Sequence, residues 1–118
     1  QNGSQVALNN GCDVNNGDCT YTFSKGMIVS DKNSGLALNA WGGAQNGTAV
    51  KPSSICTTTN TDCTWTWSKG QIISDNHAHG TLPINAVGGG VHLANLALAS
   101  ACTAKNPDCV FSGSFARN

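Results

Sequence analysis

Residues 60–70 read NTDCTWTWSKG, and residues 16–26 read NGDCTYTFSKG. A third version, NPDCVFSGS, occupies 106–114. A chain that prints one stretch three times is built from repeats, and the period of the repeat points to the fold. Aligning on the cysteines carries the match outward. Cys12, Cys56 and Cys102 each precede a second cysteine, Cys19, Cys63 and Cys109, with six residues between. QNGSQVALNNGC (1–12) matches QNGTAVKPSSIC (45–56), and VHLANLALASAC (91–102) is a weaker third copy. GMIVSD (26–31) matches GQIISD (70–75), and LALNAWGGA (36–44) matches LPINAVGGG (82–90). The chain thus divides into repeats 1–44 and 45–90 and a shortened third, 91–118.

The 118 residues suffice for one domain around one core. Six Lys and Arg balance six acids, all of them Asp, and only 10% of the chain is charged. A neutral chain of that kind has no electrostatic footprint for nucleic acid. It carries no basic amphipathic stretch for a membrane surface, and no apolar run near the roughly 18 residues of a spanning helix. Gly, Asn, Ser and Thr are abundant and strong helix formers are scarce, so short apolar runs between Gly/Asn clusters predict an all-β fold.

Propeller blades share this period, but about four blades are needed to close a propeller. A three-fold body with about four short strands per repeat fits better. In the second repeat the strands are expected at about 47–55, 62–68, 70–75 and 81–86. NSG (33–35) and NHAHG (76–80) read as turns, and WGGAQNG and VGGG as loops. Twelve strands would complete such a body, and about ten or eleven are countable.

Six cysteines in a small chain point to an oxidising compartment. With Gln1 at the start, the chain reads as a processed, secreted protein. Repeats evolve as units, so the simplest of the 15 connectivities pairs within each: Cys12–Cys19, Cys56–Cys63 and Cys102–Cys109. Each bridge stabilises by about 2.5 kcal/mol in the chain-entropy account. The spacing is not that of a zinc site.

The repeated elements resemble those of the ricin-B-type β-trefoil lectins, also classed as carbohydrate-binding modules. Those repeats carry G-x-I, then C-L-D-V, an apolar strand and Q-x-W. The last element corresponds here to Cys19-Thr-Tyr21, Cys63-Thr-Trp65 and Cys109-Val-Phe111, with Cys in place of Gln. The resemblance covers nearly the whole chain. It implies a β-trefoil-like fold, with Tyr21, Trp65 and Phe111 as one core aromatic per repeat. The cysteine pairing departs from the family's usual bridge.

The resemblance also implies one shallow, non-catalytic sugar site per repeat and glycans or glycoproteins as partners. The family's Asp of L-D-V corresponds to Asn39 and Asn85. Its Asn beside Q-x-W corresponds to Asp18, Asp62 and Asp108, so amide and carboxylate have exchanged places. The aromatic platform position falls on Asn10, Ser54 and Ser100 or Ala101, none aromatic. Trp41 has Val87 as its counterpart, so the repeat does not require it. It either covers one end of the body or stacks on a sugar. The expected site is therefore Asn39, Trp41 and Asp62 with Lys51 nearby. Asn85, Asp108 and Asp18 are echoes.

Other features point less far. A glycosidase needs two positioned carboxylates, and the three repeated Asp should lie on separate faces. No G-x-S-x-G occurs, so no enzyme and no cofactor is expected. His77 and His79 read as a solvated turn, with metal binding alongside Asp75 as the sharper alternative. Asn2-Gly-Ser and Asn46-Gly-Thr are N-glycosylation sequons. The third repeat has no counterpart of LALNAWGGA. Loops cover the gap, the chain is trimmed, or a neighbouring chain adds a strand. The last outcome gives a second function, a self-assembling homo-oligomer or filament of structural character. A trefoil protease inhibitor is a third reading, though no reactive loop stands out.

Overall fold

The structure is a computed structural model and describes residues 3–90 and 92–111. Among them are eight strands: β1 (Tyr21–Ser24), β2 (Met27–Ser30), β3 (Ala37–Ala40), β4 (Val50–Ser53), β5 (Trp65–Ser68), β6 (Gln71–Ser74), β7 (Ile84–Ala86) and β8 (Leu96–Leu98). The all-β expectation holds, with every pairing antiparallel. β1–β4 form one sheet in sequence order, while β5–β6 and β7–β8 form two-stranded sheets.

The repeated SKG is a hairpin turn. Lys25 and Gly26 have φ of 52° and 84°, and Lys69 and Gly70 have 53° and 83°. Two consecutive positive φ values match the twist of the flanking strands, as in a type I′ turn. Around these turns Ser24 pairs with Met27 and Ser68 with Gln71. The turn also docks on the next repeat. Trp65 N–H donates to Gly26 C=O, and Phe111 N–H to Gly70 C=O, both at 2.8 Å.

The N-x-D-C part of the stretch closes a small loop. Cys12–Cys19, Cys56–Cys63 and Cys102–Cys109 are bridged as expected, with Cα–Cα distances of 5.6, 5.5 and 5.7 Å. Inside each loop the Asn side chain accepts from the Asp N–H two residues on, always at 2.9 Å (Asn16–Asp18, Asn60–Asp62, Asn106–Asp108). The same Asn main-chain carbonyl accepts from the second cysteine's N–H. An Asx turn thus presets each bridge.

The core gathers Ile28, Leu38, Ala40, Val50, Trp65, Leu82, Ile84 and Leu98. Trp65 is buried as expected, and its indole N–H is satisfied. Tyr21 and Phe111 pack against this core but are only partly buried.

In the second repeat β4 to β7 fall within the four expected strands, each shorter than expected. The total of eight among the described residues falls below the ten or eleven expected. The opening strand of the first repeat is reduced to a single bridge, Ala7 to Asn95. Its counterparts β4 and β8 are ladders because β3 and β7 lie beside them. A strand needs a partner along its edge to count as one. Third-repeat residues 112–118 lie outside the described residues.

Candidate functional site

β3 and β4 pair in register, Asn39 opposite Lys51 and Ala40 opposite Val50. The pairing continues one residue further, where Trp41 N–H donates to Ala49 C=O at 3.0 Å. Period-two alternation puts Asn39, Trp41 and Lys51 on one face. Diagonal neighbours on that face are within reach of long side chains. Lys51 Nζ accordingly stands 5.5 Å from the Trp41 ring centroid, a cation–π contact. Gly3 backs the indole so closely that a Cβ there would lie 3.3 Å from Cη2. The ring is held in place yet remains 40% exposed.

The disulfide loop of the second repeat lies against β3. Ala40 N–H donates to Asp62 C=O at 2.7 Å, so Asp62 sits beside the residue that Asn39 and Trp41 flank. The Asp62 carboxylate accepts from Asn76 Nδ2 at 2.7 Å. The three expected site residues are thus neighbours. Asn39 itself is buried, and among the described residues its Oδ1 has no hydrogen-bond partner. It underlies the surface rather than forming part of it.

The echoes follow the same plan with different ends. Cys109 Sγ lies 3.6 Å from Asn85 Oδ1, so the third repeat's loop covers β7 as the second's covers β3. Asp108 Oδ1 accepts from Gly90 N–H at 3.1 Å, and exposed Val87 stands where Trp41 does. Asp18 pairs with Lys32 Nζ at 3.3 Å, both side chains about two-thirds exposed. The three Asp therefore have three different partners, and the Trp41 face sets an exposed indole beside one of them.

Asn76 escaped the sequence reading. Its signal is the alignment of SDK (30–32) with SDN (74–76), which equates the Asp18–Lys32 and Asp62–Asn76 contacts. His77 and His79 are exposed in the expected turn, where Gly80 N–H donates to His77 C=O. Asn46 is exposed, and its Oδ1 accepts from Ser100 N–H at 2.9 Å. Asn2, the other sequon, lies outside the described residues.

A separate cavity of about 390 Å³ opens between the N-terminal segment and the first disulfide loop. Val6, Ala7, Asn9, Cys12, Asp18 and Tyr21 are among its walls. Burial raises the Tyr21 pKa above the ordinary phenol value, and the Asp18 charge adds to it.

Comparison with protein-family models and with curated proteins finds no match.

Proposed function

We propose that the chain is a β-trefoil-type, non-catalytic carbohydrate-binding domain whose working site is the Trp41 face. The observation that carries this is the exposed indole at a position the repeat does not require, braced by Gly3 and Lys51. A fixed aromatic face suits the apolar face of a pyranose, and adjacent polar groups suit its hydroxyls. Lys51 and the Asp62–Asn76 pair are those groups. Asn39 is buried within β3 and does not touch the sugar. Three features support the trefoil frame: the hairpin turns docked on the next repeat, the equivalent disulfide loop in each repeat, and the β3–β4 and β7–β8 pairings between repeats. All six cysteines are paired, which supports an extracellular setting. No helix among the described residues is long and apolar enough to cross a membrane.

A glycan array on the disulfide-intact protein tests this, run beside Trp41→Val. That substitution installs the residue the second repeat uses at the same place. Retention on a defined glycan class by the parent, and its loss in the variant, is the expected result. Equal binding by both would move the site elsewhere, and no binding by the parent would overturn the reading.

A further inference from the structure

Three Asn-Gly steps lie wholly within the described residues, at 10–11, 16–17 and 46–47. Such a step can react with itself. The glycine's main-chain nitrogen attacks the asparagine's side-chain Cγ, and glycine has no side chain to stand in the way. Whether a given step reacts depends on what already holds that nitrogen. Gly47 N–H donates to Leu98 C=O at 2.7 Å, and Asn46 Oδ1 accepts from Ser100 N–H at 2.9 Å. Both reacting groups of that step are therefore tied to the third repeat. Gly11 N–H donates to Asn9 Oδ1, also at 2.7 Å. Gly17 N–H has no hydrogen-bond partner among the described residues, and Asn16 beside it is exposed.

The other repeats show that this freedom belongs to the loop. The second disulfide loop lies against β3, and there Thr61 N–H, at the same position, is equally without a partner among the described residues. In the third loop the position is Pro107, which has no N–H to place. The loop's bonds run through the groups on either side. Cys19 N–H donates to Asn16 C=O, and Asp18 N–H donates to Asn16 Oδ1 at 2.9 Å. The second of these sets a donor on the oxygen where negative charge gathers when Cγ is attacked. A Cβ on Gly17 would stand 3.4 Å from Lys32 Cβ, so the close approach to Lys32 favours glycine at this position.

We propose that Asn16 is a self-modification site, the step at which the folded chain deamidates ahead of Asn10 and Asn46. Gly17 N loses its proton to solvent base and bonds to Asn16 Cγ. The Cγ–Nδ2 bond breaks, ammonia leaves, and a succinimide closes. Water then adds to either ring carbonyl. Opening one C–N bond leaves an ordinary aspartyl residue, and opening the other leaves an isoaspartyl link through the side chain. Either product puts a new carboxylate beside the Asp18–Lys32 pair. The isoaspartyl product also lengthens the backbone inside the loop that Cys12–Cys19 closes. The equivalent Asn60 is followed by β-branched Thr61, and Asn106 by a proline with no proton to lose, so the change marks the first repeat's loop.

The test is incubation of the disulfide-intact full chain at mildly alkaline pH. Samples are digested over time, and the peptides carrying Asn10, Asn16 and Asn46 are followed by mass spectrometry. The reduced, denatured chain runs beside it. In the folded chain Asn16 should react roughly fivefold faster than Asn10 and Asn46, the factor that one ordinary hydrogen bond confers, with aspartyl and isoaspartyl products both present. In the denatured chain the three rates should converge. A rate at Asn10 or Asn46 equal to or above that at Asn16 in the folded chain would overturn the proposal. So would a lead of Asn16 that persists unchanged in the denatured chain, since the sequence alone would then set the order.

Discussion

The indole N–H of Trp65 donates to the main-chain carbonyl of Leu38 at 3.1 Å, across 27 residues and from one repeat into the one before. The bond is buried, and it fastens the middle of β3 to the aromatic of the second repeat. The seam between the first two repeats is therefore polar at its centre and apolar around it.

Replacing Trp65 with Phe keeps most of the ring and removes the donor. The buried Leu38 carbonyl then loses its indole partner, which costs about 1–3 kcal/mol, and the smaller ring leaves a void that adds to it. Trp65→Phe should lower the unfolding free energy in denaturant by about 2–4 kcal/mol with an unchanged slope. A loss under about 0.5 kcal/mol, the scale of an ordinary surface substitution, would mean that the seam does not depend on this bond.

The second seam rests on Gly70. Its φ of 83° disfavours any side chain, and a Cβ there would overlap Val110 Cγ1. Gly70→Ala should cost about 1–2 kcal/mol from the backbone and about 1–3 from displacing Val110. Gly80, at φ 97° with nothing within 4 Å, isolates the backbone part. Gly80→Ala should cost only about 1–2 kcal/mol. Equal losses in the two variants would show that the third repeat does not press on the SKG turn.

Two groups titrate with opposite signs. Thr22 Oγ1 donates to Asp31 Oδ1 at 2.6 Å and, with Thr20, holds the Asp31 carboxyl below its ordinary value. Its contribution to stability is present above the ordinary carboxylate range and is lost as pH falls through the lowered value. Thr22→Val should move Asp31 back up, read from the carboxyl carbon shift in an NMR titration. Tyr21 is raised by burial and then by Asp18, so its contribution is present below about pH 10 and is lost as pH rises through the raised value. The chain has one tyrosine, so phenolate absorbance reports it alone. Asp18→Asn should lower that midpoint while leaving it above the ordinary value, because burial remains.

The cysteine pairing and the two SKG hairpins are legible in the sequence because both depend on contacts a few residues apart. Asn at the head of each loop and Gly at the end of each turn carry their own conformations. The fate of Asn39 is not legible. Asn39 is the one polar residue of LALNA, yet it is buried with the rest. The cover is the 56–63 loop of the next repeat, some 20 residues away, and no local pattern announces it. The opening strand fails for the converse reason. Gln5–Asn9 aligns with β4 but has no neighbour like β3 among the described residues, so it forms one bridge there instead of a ladder.

The proposed sugar site is tested most directly by the indole N–H signals of the three tryptophans during titration with the glycan selected on the array. The account predicts that Trp41 Nε1–H moves and saturates, while Trp65 Nε1–H, bonded to Leu38 in the core, stays fixed. A glycan that binds while the Trp41 signal stands still would contradict it.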